Sequence, residues 1–218
     1  MVQLWADLEA VGVLVAFSTG RHLPSIEAFY AEHRTSRRAD ACVCMVGTEI
    51  WTRSDSRYEL DASWSEHITD SWDQVAIEEI LGAIPAATMQ PAEWQSPFKS
   101  SYYLEEDSEA ALRRIEDELA ARGLEAKVVY SAGRFLDLLP HRSGKGGAVS
   151  WLAAALDVDP TDVITAGDTG NDLDMMRADL GFRSIAVGNA SPELSEVRES
   201  QIYHATAHYA AGIREGLE

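Results

Sequence analysis

The stretch Val163–Met176 reads VITAGDTGNDLDMM. A short apolar, β-branched run breaks into Gly-Asp-Thr-Gly-Asn-Asp, and a helix-like pattern follows. An apolar run of this length bounded by turn residues reads as a buried strand. Its loop then carries Asp168, Asn171 and Asp172 to the carboxyl edge of a sheet, where ligands of open α/β folds bind.

Working outward, the same alternation recurs on both sides. Residues 2–10 read as a helix. Val13–Phe17 (VLVAF) is a continuous apolar run, typical of a strand covered on both faces. It ends in Ser18-Thr19-Gly20-Arg21, a helix follows to about His33, and Ala41–Val46 is a second buried strand. After the opening stretch, Ser184–Val187 is another. Strand, helix and strand in short succession predict a doubly wound parallel sheet.

The middle of the chain differs. Residues 50–100 are rich in Trp, Ser and Asp, with breakers at Pro85, Pro91 and Pro97. A helix is expected near 71–83, strands at Lys99–Leu104, Lys127–Ser131 and Phe135–Leu139, and a helix over 108–122. Ser143–Leu156 then reads as a helix opened by a glycine-rich turn. The expected architecture is α/β: a Rossmann-like core from residues 1–49 and 139–218, with residues 50–138 inserted as an α/β cap.

Composition narrows the function. The 218 residues carry a net charge of −18, with 15 Arg and 3 Lys. That balance argues against nucleic-acid binding, which needs a basic footprint. It also means that an anion site must be built from a few local cations and backbone N–H groups. No apolar run approaches the ~20 residues of a membrane span. The N-terminal MVQLWADLEA has two acids and no basic segment, unlike a secretory signal, so a cytoplasmic location and no membrane partner are expected. Cys42 and Cys44 share one face of a strand and read as small buried hydrophobes, because a metal clip needs more ligands.

Three clusters carry chemistry. Thr19 ends the first strand, where a hydroxyl beside backbone N–H groups can hold a phosphate oxygen or cap the following helix. Lys145 lies in HRSGKGGA between glycines 144, 146 and 147. This is not a P-loop, since Gly146 follows the lysine and Leu139 stands where the first glycine belongs. Asp168 and Asp172 bracket Thr169-Gly170-Asn171 and offer the hard oxygen ligands that suit Mg²⁺, which takes one or two carboxylates plus waters and phosphate. Gly170 occupies the third position of the loop, which excludes an EF-hand. Trp51, Trp64, Trp72 and Trp94 are candidates either for stacking on a sugar or for an aromatic core.

Taken in order, TGR after a strand, a Lys in a KG turn after a cap-sized insertion, and GDTGND after another strand resemble motifs two to four of haloacid dehalogenase-type phosphatases. VGTEIW, SPFKSSYYL, DLLPHRSGKGGA, GDTGNDLDMM and AVGNASPEL look like stretches of the sucrose-phosphate phosphatase group, from about residue 13 to the end. The resemblance implies an Mg²⁺-dependent phosphomonoesterase acting through an aspartyl-phosphate, with a small sugar phosphate such as sucrose 6-phosphate as substrate. By motif position it implies that Thr19 and Gly20 bind phosphate, Lys145 neutralises charge, Asp168 ligates Mg²⁺, Asn171 contacts phosphate and Asp172 supports the metal. By looser alignment, Arg21, Glu49, Lys99 and Asp137 would touch the sugar.

One part of that pattern is missing. The family keeps its nucleophile and general acid in a D-x-D-x-[TV] motif on the first core strand, ahead of the helix that leads into TGR. Here Asp7 lies in LWADLEAVG with no apolar strand before it and no Asp two residues on; Asp172 and Asp174 have the spacing but belong to motif four. In this fold the absent strand runs between those carrying TGR and GDTGND, and its loss would leave buried ladder groups unpaired at about 1–3 kcal/mol each. Three explanations are open: an N-terminus that lies further upstream, a non-catalytic paralogue that binds sugar phosphates, and complementation by a strand from another chain. Another phosphorylated metabolite as substrate is a further alternative.

Overall fold

The computed structural model describes residues 2–35, 37–104 and 108–218. Helix α1 (Val2–Ala10) is followed by β1 (Ala16–Ser18), α2 (Leu23–Glu32) and β2 (Ala41–Cys44). A hairpin, β3 (Glu49–Ser54) and β4 (Arg57–Leu60), leads into α3 (Ala62–Thr69). These four strands form one sheet in the order β1-β2-β3-β4, parallel between β1 and β2 and antiparallel thereafter.

Alternation along β2 decides which helices cover this sheet, because successive side chains of a strand point to opposite faces. Cys42 and Cys44 pack with Trp5, Leu23, Ile26 and Tyr30 of α1 and α2. Ala41 and Val43 face the other way, with Ile50 of β3, Trp64 and Ile68 of α3, and Ala148 and Leu152. Both thiols are therefore buried and free on one face, as expected. Burial pushes Cys42 up to about 11 and raises Cys44 further.

The boundary expected at residue 50 falls inside this sheet. Residues 49–60 extend it and α3 closes its lower face, so the Trp-rich segment up to about residue 69 is built onto the core. Trp51 and Trp64 serve that packing.

A second unit follows. Helix α4 (Gln74–Gly82), β5 (Ala87–Met89), β6 (Ser100–Leu104), α5 (Ser108–Arg122), β7 (Ala126–Ser131) and β8 (Phe135–Pro140) make an antiparallel sheet, order β5-β6-β8-β7, with two helices on it. Helix α5 lays Ala111, Ile115 and Leu119 against Tyr102, Leu104, Leu136 and Leu138, together with Ile77, Ile80 and Leu81 of α4. The i, i+4, i+8 spacing makes that stripe, and Gly123 (φ +66°) ends the helix in the left-handed region.

The chain returns to the core through α6 (Lys145–Ala155), β9 (Ile164–Gly167), β10 (Arg183–Ala186), the short α7 (Pro192–Ser195), β11 (Ile202–His204) and α8 (Tyr209–Leu217). The three strands form a parallel sheet, β11-β10-β9. An Asp7–Arg214 ion pair of 2.7 Å ties α1 to α8, joining the two sheets on one side.

The parallel core is thus split. Strand β1 pairs only with β2, and β9 only with β10; among the described residues no strand lies between them. This is where the resemblance to haloacid dehalogenase-type phosphatases places the strand missing from the pattern. The expected run Val13–Phe17 contracts to Ala16–Ser18, and Val13 and Leu14 are 45% and 55% exposed.

Candidate active site

Three loops meet at the carboxyl ends of β1, β2 and β9. The first, Thr19-Gly20-Arg21, leaves β1. Thr19 does not cap α2: His22 does, its Nδ1 accepting the Ser25 N–H at 3.1 Å. The Thr19 hydroxyl accepts the N–H of Arg21 at 3.2 Å and stands half-buried in its loop. Arg21 is exposed.

The second loop is a left-handed turn at the end of β2. Met45 (φ 52°), Val46 (φ 61°) and Gly47 (φ +89°) follow one another in this region, which a β-branched valine seldom enters. The N–H of Met45 donates to Arg21 O at 3.0 Å and that of Val46 to Thr19 O at 3.1 Å. The turn therefore clamps the TGR loop from both ends. Gly47 lies against the backbone of the Lys145 turn, so closely that a Cβ there would stand 2.2 Å from the carbonyl carbon of Gly144.

The third loop follows β9 and is a 3-10 segment, Gly170–Met175, where a regular helix was expected. Its organiser is Asp172. One carboxylate oxygen accepts the N–H groups of Asp168 and Thr169, each at 3.0 Å. The other accepts Lys145 Nζ at 2.6 Å. Gly167 permits this fold-back, since a Cβ at that position would fall 2.4 Å from Asp172 Cβ. Lys145 Nζ also donates to Asn171 Oδ1 at 2.7 Å, and Thr169 Oγ1 to the same oxygen at 2.9 Å. Lys145 and Asp172 are both buried, with 5% and 6% of their side-chain surface exposed.

Lys145, Asn171 and Asp172 are thereby gathered into one knot, with Asp168 beside it. Thr19 and Gly20 reach it only through the turn at residues 45–47; no hydrogen bond joins Thr19 to Lys145 or Asp168 among the described residues. Glu49 opens β3 next to that turn and accepts the Trp51 indole N–H at 2.9 Å. Lys99 and Asp137 are paired instead with each other inside the second unit. Lys99 Nζ lies 3.2 Å from Asp137 Oδ1, and Ser101 Oγ donates to that oxygen at 2.5 Å.

A cavity of about 320 Å³ lies beside the knot, lined by Val46, Lys145 and Asn171 on the core side and by Lys127–Tyr130 of β7 on the other. Lys99 and Asp137 do not line it. Trp72 packs on the core of the second unit, its indole N–H donating to Pro97 O at 2.9 Å. Trp94 stacks on His22 at 5.9 Å and so joins that unit to the TGR loop. Sequence reading missed Lys127 and Asp174, which form a 3.0 Å ion pair across the two units. They are 47 residues apart in sequence, and the only signal was the scarcity of lysine.

The donor set for a divalent ion is partial. Among the described residues no group of three or more His, Cys, Asp or Glu is placed to hold a metal. Asp172 has both oxygens engaged, whereas Asp168 is exposed and its carboxylate has no hydrogen bond among the described residues. One hard carboxylate on a loop still fits Mg²⁺, which keeps most of its waters and takes phosphate oxygens.

The chain matches a family model described as sucrose-6F-phosphate phosphohydrolase over residues 1–218. It is 33% identical over 206 residues to the mannosylfructose-phosphate phosphatase of Agrobacterium fabrum, covering 94% of this chain and 82% of that one. It is 31% identical to sucrose-phosphatase 1 of Nicotiana tabacum over 98% of this chain but 52% of that relative, so it spans about half the length of the plant protein. The sucrose-phosphatase of Synechocystis, solved with sucrose and phosphate, superposes with a TM-score of 0.89 at 27% identity, covering 99% of this chain and 88% of that one. Among described residues, no helix of the present chain is long and apolar enough to cross a membrane.

Proposed function

Because the chain belongs to the sucrose-6F-phosphate phosphohydrolase family, we propose that it is the site-bearing part of an Mg²⁺-dependent phosphatase acting on a phosphorylated disaccharide. The observation that carries this reading is the Lys145–Asn171–Asp172 knot, held at the sheet edge beside an exposed Asp168 and backed by the clamped TGR loop. It is an arrangement of one ammonium, one amide and backbone N–H groups around a place for a phosphoryl group.

In this proposal each group has a distinct task. Lys145 offsets negative charge on the phosphate, and Asp172 fixes that ammonium while folding the Asp168 loop. Asn171 orients a phosphoryl oxygen, and Thr19 with the Gly20 N–H holds another. Asp168 is the residue that would hold Mg²⁺, which when bound draws charge from the phosphoryl oxygens. The attacking carboxylate and the acid for the leaving sugar would have their place in the gap between the edges of β1 and β9. The split of the parallel core at that place supports this.

The cap in this reading is residues 74–140, since residues 49–69 pack as part of the core. The face of β7 over the cavity is then the natural selector of the sugar, with Lys127–Tyr130 in its wall. Lys99 and Asp137, neutralised by one another, serve better as the cap's internal brace. Mannosylfructose phosphate and sucrose 6-phosphate are the first substrates to try, in a cytoplasmic setting.

The test is phosphate release from a panel of sugar phosphates by the protein, with and without Mg²⁺. The expected result is Mg²⁺-dependent release that Asp168→Ala abolishes. Binding of sugar phosphate without release would favour the non-catalytic alternative. Neither binding nor release from any member would sink the proposal.

A further inference from the structure

The glycines around Lys145 remain without a role, since they form no P-loop. The structure gives them one. Helix α6 begins at Lys145, and the first N–H groups of a helix have no partner within it. Its N-cap is Gly144 (φ +109°), which has no side chain to cap them. A carboxylate from elsewhere does so: Asp174 Oδ2 accepts the Gly146 N–H at 2.8 Å, across 28 residues of sequence.

The other oxygen of the same carboxylate reaches the cap. Asp174 Oδ1 accepts Lys127 Nζ of β7 at 3.0 Å and Arg177 Nη1 at 3.1 Å. A Cβ at Gly144 would stand 2.5 Å from both Asp174 Oδ2 and Lys127 Nζ, and one at Gly146 would stand 2.2 Å from Asp174 O. The two glycines are therefore the space into which this junction fits.

We propose that Asp174 is a positioning residue, a single anchor that sets both the helix carrying Lys145 and the cap strand that walls the cavity. The first contact orients the start of α6, and with it the ammonium in the knot. The second holds β7 over the opening. Arg177 gives the arrangement its reversibility. When Lys127 lets go, Asp174 keeps a cation and the helix N-terminus as partners, so the cap can lift without leaving the half-buried carboxylate unpaired. That the anchored group serves phosphate rests on the function proposed above; the anchoring itself does not.

The experiment separates the two contacts in the 218-residue chain. Spin labels at Asp117→Cys on α5 and Glu196→Cys after α7 report the cap–core distance by pulsed electron resonance, while hydrogen exchange follows amides 146–149. Buried Cys42 and Cys44 do not take the label. The chain with Asp174 and Lys127 intact should give one narrow distance. Lys127→Met should add a second, broader population while amides 146–149 stay protected. Asp174→Asn, which keeps an acceptor for the Gly146 N–H, should behave like Lys127→Met. Asp174→Ala should broaden the distance and also speed exchange at 146–149 at least tenfold.

An Asp174→Ala chain with unchanged distance and unchanged exchange would overturn the proposal, as would an unbroadened distance in Lys127→Met. Inorganic phosphate is titrated in parallel, and its affinity should fall at least tenfold in Asp174→Ala. If the unsubstituted chain binds no phosphate with Mg²⁺ present, the phosphate role given to the knot fails, while distance and exchange still decide on the anchor.

Discussion

Gly47→Ala isolates what holds the site together. Two effects add at this position. Its φ of +89° lies where a Cβ meets the backbone, a conformation costing about 1–2 kcal/mol for an L side chain. The new methyl would also stand 2.2 Å from Gly144 C, 2.3 Å from Gly144 O and 2.6 Å from Lys145 N. These are backbone atoms that cannot rotate away, and overpacking of this kind costs about 1–3 kcal/mol. The expected loss is thus ~2–5 kcal/mol. Gly123→Ala is the control: its φ is +66°, but nothing lies within 4 Å of the added Cβ, so only the conformational cost of about 1–2 kcal/mol applies. Urea unfolding reads the difference. With a slope of roughly 3 kcal/mol per molar for a chain of this size, Gly47→Ala should lower the midpoint by about 0.7–1.7 M, clearly more than the control. Equal midpoints for the two variants would show that the 45–47 turn and the Lys145 turn are not in backbone contact.

Three further outcomes are expected. Lys145→Met leaves Asp172 buried without its cation and should destabilise by about 3–5 kcal/mol, whereas Lys145→Met with Asp172→Asn should recover much of that loss in the same unfolding assay. Asp61 accepts both the Trp64 N–H at 3.0 Å, capping α3, and the Trp151 indole N–H at 2.9 Å; Asp61→Ala should lower stability by about 2 kcal/mol, one for the cap and one for the second bond, and the Asp61→Asn change by less. Glu215 is held well below its ordinary 4.5, at about 2, because it accepts the Thr206 and Ala207 N–H groups. A depressed carboxylate stabilises the fold above its unfolded value and loses that contribution as pH falls. The stability gap between the unsubstituted chain and Glu215→Gln should therefore be constant above about pH 5 and close between pH 4.5 and 2; a gap that persists at pH 2 would contradict the assignment.

Much of this was legible because strands, turns and motifs are local. GDTGND and TGR follow strands β9 and β1 and the KG turn opens α6, as their patterns suggest, and α5 has the bounds expected of it, Ser108–Arg122. What was not legible depends on contacts between distant segments. Thr19 has the composition of an N-cap, yet His22 takes that place, while Thr19 O and Arg21 O accept from the left-handed 45–47 turn. Residues 49–69 look cap-like in composition, but β3 pairs with β2 and carries them into the core. Asp174 has no local signature, since both its partners, Lys127 and the Gly146 N–H, come from other elements.

Charge bears on how so acidic a chain could hold the proposed anion site. All three lysines are spent on aspartates: Lys99 on Asp137, Lys127 on Asp174 and Lys145 on Asp172. None is a free surface cation, so the net charge of −18 is carried outside these pairs. At the knot, one ammonium faces two carboxylates, Asp168 and Asp172, which leaves the site negative by one before any phosphate arrives. A doubly charged phosphate monoester would deepen that deficit in a half-buried place, where like charges a few ångströms apart repel far more than in water. The pairing with Asp172 is too short to be given up cheaply, so Lys145 cannot make up the difference alone. Under the proposed function, a divalent cation on Asp168 would offset the two charges of the phosphate and return the site to its starting charge of minus one. In that proposal the exposed Asp168 carboxylate, which has no hydrogen bond among the described residues, is what would make the rest of the site usable.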